Sequence, residues 1–417
     1  MAPDLVIRNA RSVYPMDFDG PARGDDLARI QPLEGVDVAC EDGHISEIGD
    51  VGRGRVEFDA TGCTIVPGFV DCHTHLPFYG WRADEDAARL AGLRYETIHR
   101  EEGGIFRSAR LLAEADDEDV LDFSKSLAAT MLSRGTTTFE MKSGYGLSVE
   151  NELRQLRLAR RVAEDSPQRV VTTCLAAHAV PKGKSQGEWI GEVASELLPR
   201  VAEEGLAQAC DIYVESIAFA LEHAARLCTA AEPLGLRMRI HADQLEDGQA
   251  GAFAARWGFA SADHLNHTSP EAVGDLAASD TAAVLLPGAT FTLRQNKKPP
   301  ARHLIEEGAV VALGTDLNPG TSPIHSMPFV IALACRLYGL RPLEALAAST
   351  VNAASVLGLG SEVGSISPGY RGDLVVLDVE EFDQIAYRPD APPLLAVACG
   401  GRLGAVASVG ARRVVRD

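Results

Sequence analysis

Eleven histidines occur in the 417 residues, and five of them stand where an apolar run gives way to polar residues. His73 and His75 close the run that starts at Gly68, and His178, His241 and His264 close three others. In an extended strand residues i and i+2 point to the same side, so His73 and His75 can bind one ion. Glu215 and Asp316 end two further runs. Three neutral imidazoles and one carboxylate suit Zn²⁺ or Fe²⁺ with a position left open for water. The chosen set is His73, His75, His241 and Asp316, and the chemistry it fits is hydrolysis by an activated water. His178 and His264 share the same rim, and a second ion held by them is the alternative. Lys142, in Lys142-Ser-Gly-Tyr-Gly, reads as part of a ligand-contacting loop, and Glu215 as a buried ion-pair partner.

Elements that bring these residues together follow from the apolar pattern. Eight strands are expected, at 68–75, 136–142, 170–178, 209–215, 237–243, 259–265, 282–289 and 310–316, separated by amphipathic segments such as 149–159. Eight parallel strands covered by helices close a (β/α)8 barrel, whose functional groups sit at the carboxyl ends of its strands. The stretch Arg82 to Leu132 is about twice the usual connection and reads as a substrate lid. Short strand-like runs separated by turn signals fill residues 4–66. Strand patterns return at 364–366, 373–378 and 406–415, after a helical stretch over 342–357. The expectation is an α/β chain: a catalytic TIM-like barrel over 67–360, and a small β-sandwich built from residues 1–66 and 361–417.

Composition narrows the partners. Acidic residues outnumber basic ones 59 to 39, for a formal charge of −20. No basic run exceeds a pair, which argues against nucleic acid. The balance of 46% hydrophobic and 24% charged residues is that of a globular chain. No apolar run reaches the ~18 residues of a membrane span, and the first residues lack a secretory pattern. Eight scattered cysteines without a C-x-x-C pair read as free thiols, which suits the cytoplasm.

The segments Pro67-Gly-Phe-Val-Asp-Cys-His-Thr-His and Gly314-Thr-Asp-Leu-Asn-Pro-Gly resemble the amidohydrolase superfamily of metal-dependent hydrolases. Lys142-Ser-Gly-Tyr-Gly-Leu, Ala177-His-Ala-Val-Pro, His241-Ala-Asp-Gln, Ser261-Ala-Asp-His-Leu, Val284-Leu-Leu-Pro-Gly-Ala and Thr315-Asp-Leu-Asn-Pro-Gly-Thr-Ser-Pro are similar, in this order, to its imidazolonepropionase family. That resemblance implies one divalent metal, Zn or Fe, on His73, His75, His241 and Asp316. It implies substrate contacts from Arg82, Tyr95, Tyr145, His178, Gln244, Asn318, Gly320 and Thr321, and catalytic roles for His264 and Asp316. The implied reaction opens the cyclic amide of 4-imidazolone-5-propanoate, a small heterocycle with a carboxylate tail, to N-formimidoyl-L-glutamate. Another small heterocycle on the same scaffold is the alternative, and pairing as a homodimer is also implied. The chain departs from the family at Pro77-Phe-Tyr-Gly-Trp, where a Gly-Gly-Ser-like stretch is usual, and at Gln244, which is Glu in some members.

Overall fold

The computed structural model describes residues 2–92, 103–407 and 413–416. Its first 67 residues supply five strands: β1 (Leu5–Val13), β2 (Leu33–Glu41), β3 (His44–Gly49), β4 (Val56–Asp59) and β5 (Thr64–Pro67). Eight parallel strands follow: β6 (Phe69–Asp71), β7 (Thr136–Lys142), β8 (Arg169–Ala177), β9 (Ala209–Val214), β10 (Arg237–Ala242), β11 (Ser261–His264), β12 (Ala282–Leu285) and β13 (Val311–Leu313). They hydrogen-bond in chain order from β6 to β13. The chain then returns with β14 (Leu374–Leu377), β15 (Leu394–Cys399), β16 (Arg402–Val406) and β17 (Val414–Arg416).

The last four strands join the first five in one nine-stranded sheet, because β14 lies antiparallel on β5 and β17 on β4. This β domain, built from both chain ends as expected, is one sheet that branches at β1, where β4 and β5 both lie parallel to it. Period-two alternation gives it two apolar faces. Leu374 and Val376 of β14 join Leu5, Ile7, Phe58 and Ile65 in a core of the sheet's own. Val375 and Leu377 face the other way, into the large core that Phe69 and the barrel helices share.

Barrel strands β7 and β9 are buried at every position, as parallel strands covered by helices must be. Cys210, Ile212, Met238 and Ile240 turn outward to the helices, while the alternate residues Asp211, Tyr213, Arg239 and His241 point into the barrel. The first and last strands meet just beyond their ends. Asp316 N–H donates to the His73 carbonyl at 2.9 Å and His75 N–H to the Leu317 carbonyl at 2.8 Å. Asp71 reinforces the seam by accepting from Thr315 N–H at 2.9 Å and Thr315 Oγ1 at 2.6 Å.

Several elements differ from the sequence expectation; the helical stretch 342–357, for one, is two helices, Pro342–Ala348 and Val351–Val356. The seventh strand stops at Leu285 rather than 289, because Pro287 opens a helix, Pro287–Thr292. Only part of the 82–132 stretch is an insertion. Its helices Ala83–Leu90 and Ile105–Glu114 stand over the barrel mouth, whereas Asp117–Ser133 is the regular helix before β7. Residues 364–366 form no strand; Ile366 instead donates its N–H to the Pro15 carbonyl at 2.7 Å and is buried.

Candidate metal centre and pocket

His73 and His75 follow β6 directly, and His241 is the fifth residue of β10. Their Nε2 atoms converge: His73 to His75 is 3.3 Å, His241 to His75 is 3.5 Å. Asp316 Oδ1 lies 3.2 Å from His75 Nε2 and 3.6 Å from His73 Nε2. Ligand atoms set tetrahedrally at about 2.0–2.2 Å from one ion stand roughly 3.3–3.6 Å apart, so the spacing of the three imidazoles suits one ion, with Asp316 beside His73 and His75. His73, His264 and Asp316 also present ligand atoms within 4.8 Å of one another. His178 belongs to no such group among the described residues, so the second-ion alternative with His264 finds no geometric support.

The protonation of two of these imidazoles is fixed from behind. His73 Nδ1 donates to Asp263 at 2.6 Å and His241 Nδ1 to Asp211 at 3.2 Å. With the proton on Nδ1, each Nε2 turns a lone pair to the centre, the form a metal requires. Burial, with the nearby cations and imidazoles, pushes the His73 and His75 pKa values well below the ordinary range. Burial also raises the Asp316 carboxyl. Neutral imidazoles crowding a carboxylate leave several lone pairs facing one another, an arrangement that a cation satisfies. The donor set therefore fits a divalent metal.

His264 reaches the centre by an unusual backbone. Its register partner Ala242 faces the helices, so regular alternation would turn His264 outward as well. Instead His264 has φ +81° and Leu265 φ +61°, and the imidazole enters the pocket. Left-handed backbone is costly for such residues, and Asp316 is also left-handed, at φ +55°. Burial depresses the His264 pKa to about 3, so this ring is neutral.

Above the centre lies a cavity lined by Arg82, Tyr145, His178, Gln244, Asn318 and Thr321, together with Ile105, Tyr213, Leu245 and Leu293. Each wall has its own anchor. Glu152, buried on the helix Val149–Asp165, accepts the N–H groups of Gly144, Gly146 and Leu147 at 2.7–2.9 Å, while Gln155 takes that of Tyr145 at 3.0 Å. The loop so held presents Tyr145 and receives His178 Nδ1, 3.3 Å from the Gly144 carbonyl. Asn318 Oδ1 gathers the N–H groups of Gly320 at 2.9 Å and Thr321 at 2.7 Å, so its carboxamide oxygen builds the loop. Gln244 sits between two carboxylates that hold backbone. Glu215 accepts from Gln244 N–H at 2.6 Å and Leu245 N–H at 2.8 Å, and Asp243 accepts from Gly248, Ala250 and Gly251.

Arg82 is 3% exposed, and among the described residues its Nε and NH1 make no hydrogen bond, although NH1 lies 3.4 Å from Glu85. Its guanidinium lies against Gly320, where a β-carbon would stand 1.9 Å from NH2. Gly320 thus acts on the pocket through Arg82.

Two sequence readings are corrected. Among the described residues Glu215 pairs with no cation: it anchors backbone amides, and burial lifts its carboxyl to about 7. Lys142 is not in the ligand loop but ends β7, wholly buried, 2.8 Å from both Glu140 and Asp211. Tyr95 lies outside the described residues. Tyr213 was missed, yet its two-residue step from Asp211 on β9 puts it on the inward face, and that period was readable.

With a strand-end histidine cage inside a (β/α)8 barrel, the class of protein is defined: a model of the amidohydrolase family matches residues 64–406, and the chain belongs to that family. Curated relatives place it more narrowly. Imidazolonepropionases of Symbiobacterium thermophilum (40% identical over 96% of this chain and 97% of that one) and Rubrobacter xylanophilus (41% identical over 96% and 98%) align almost end to end, and this chain belongs among the imidazolonepropionases. Solved structures share the fold at low identity. An adenosine deaminase of Xanthomonas campestris with bound Zn has a TM-score of 0.70 at 20% identity, covering 96% of this chain and 93% of that one. A 5-methylcytosine deaminase of Klebsiella pneumoniae has a TM-score of 0.74 at 17% identity, covering 97% and 98%.

Proposed function

We propose that the chain hydrolyses the cyclic amide of 4-imidazolone-5-propanoate to N-formimidoyl-L-glutamate, a step of histidine degradation, with one divalent ion, Zn or Fe, on His73, His75, His241 and Asp316. The observation that carries the reading is the near-complete alignment with imidazolonepropionases at about 40% identity. The pocket supports it with a buried arginine, Arg82, whose Nε and NH1 have no hydrogen-bond partner among the described residues. When bound, such an ion polarises a carbonyl and lowers the pKa of water.

The chain's own residues supply the rest. Asp316 takes a proton from the attacking water and returns it to the departing ring nitrogen. The water oxygen adds to the ring carbonyl carbon, the carbon–nitrogen bond breaks, and one molecule of water is consumed. Neutral His264 hydrogen-bonds the water or the developing oxyanion. Arg82 pairs with the propanoate tail, since a guanidinium fork matches a planar carboxylate. Tyr145, His178, Gln244, Asn318 and Thr321 surround the ring, and Gly320 keeps Arg82 in place. The same reading makes the protein a cytoplasmic homodimer; among the described residues no helix is long and apolar enough to cross a membrane.

A substrate panel tests the proposal. Ultraviolet loss of the ring chromophore is expected with the imidazolone bearing the propanoate tail, and little with hydantoin or dihydropyrimidine rings. Faster opening of either of those would reject the substrate assignment.

A further inference from the structure

Beneath the metal donors, five charged side chains are buried within the barrel: Glu140, Lys142, Asp211, Arg239 and Asp263. They form a chain of contacts. Asp263, which receives His73 Nδ1–H, is 2.8 Å from Arg239 NH2. Arg239 NH1 also bonds Glu140. Lys142 Nζ stands 2.8 Å from Glu140 and 2.8 Å from Asp211, and Asp211 receives His241 Nδ1–H. The sequence of contacts thus leaves one proposed ligand, His73, and returns to another, His241. Fixed points on its border are Ser261, whose Oγ accepts from Arg239 Nε at 2.9 Å, and Thr173, which donates to Glu140.

Buried ion pairs are a poor route to stability, because desolvation offsets most of their attraction and well-packed apolar groups do as well or better. A network of five charges in a barrel core therefore calls for another account. From these contacts we infer that Lys142 and Arg239 are positioning residues for the metal centre. Lys142 Nζ, bonded to Asp211 Oδ2 at 2.8 Å, holds that carboxylate where its Oδ1 meets His241 Nδ1. Arg239 fixes Asp263 in line with His73. The two cations thereby hold both histidines as Nδ1–H tautomers with Nε2 aimed at one point, so that metal affinity depends on residues that never touch the ion. This inference rests on the metal assignment in the proposed function.

The test uses the full chain and zinc alone. In the double variant Lys142→Gln/Glu140→Gln one positive and one negative charge leave together. We expect the metal-free Tm to change little, the zinc dissociation constant, read by chelator competition, to rise tenfold to a hundredfold, and the visible spectrum of the Co²⁺-loaded chain to shift. Unchanged zinc affinity and an unchanged Co²⁺ spectrum would overturn the inference. Should the double variant not fold, Ser261→Ala decides: it removes only the bond to Arg239 Nε, a several-fold weaker zinc affinity is expected, and an unaltered one overturns the inference. A wild-type chain that takes up no zinc would overturn the metal assignment itself, a failure distinct from zinc uptake that the variants leave unchanged.

Discussion

At His264 the backbone is left-handed, φ +81°, and this places an imidazole at the centre that strand alternation would have turned away. Asparagine tolerates that conformation better than most residues, so His264→Asn tests chemistry with little disturbance of the chain. The variant is expected to keep about one ion per chain while turnover falls ~10²-fold or more; loss of the ion in step with activity would make His264 a ligand. At Arg82 the question is recognition. Arg82→Met should raise KM for the tail-bearing substrate about tenfold to a hundredfold, the ~1.5–3 kcal/mol of a charged hydrogen bond, and hardly affect a neutral analogue. Gly320→Ala should do the same, because its β-carbon would displace the guanidinium. Steady-state kinetics on both substrates checks the pair, and equal losses on the two would show that Arg82 supports the fold instead.

Elements carry these residues, and the sequence makes some of them plain. Strands such as Ala282–Leu285 are legible because every residue is apolar, and His73 and His75 because a two-residue step shares one side. The anchors were not legible. Glu152 follows the helical pattern of its neighbours, and only the fold shows that it turns inward to gather three loop amides. Asp211 and Asp263 look like ordinary strand residues until β9 and β11 flank β10, which carries His241. Glu215 shows what such an anchor costs. Its carboxyl rises from 4.5 to about 7 through burial, so the folded chain holds a proton that the unfolded chain has released. Stability therefore declines as pH rises from about 4.5 towards 7 and is level above that. Glu215→Gln keeps an acceptor for the amides of Gln244 and Leu245 without that loss. It should be more stable than wild type at pH 8 by about 1–3 kcal/mol, with the difference fading near pH 4.5. Denaturant unfolding at both pH values checks it, and a variant less stable at pH 8 would contradict it.

Across the whole molecule, the seam where β6 meets the end of β13 is also the site, since the backbone bonds that close the barrel run through His73, His75 and Asp316. On the proposed ligand set, ion binding is coupled to barrel closure. Zinc at about 100 times its Kd should stabilise the chain by about 2.7 kcal/mol, seen as a rise in Tm. His241→Ala should lose most of that rise along with bound metal; a full rise in that variant would remove His241 from the ligand set. The most direct test of the account is a titration of metal-free chain with Zn²⁺ or Fe²⁺, following ring opening of 4-imidazolone-5-propanoate and the appearance of N-formimidoyl-L-glutamate. Activity should climb linearly and level off at one ion per chain. Activity that levels off only at two ions, turnover in the chelated chain, or an intact ring at full loading would contradict it.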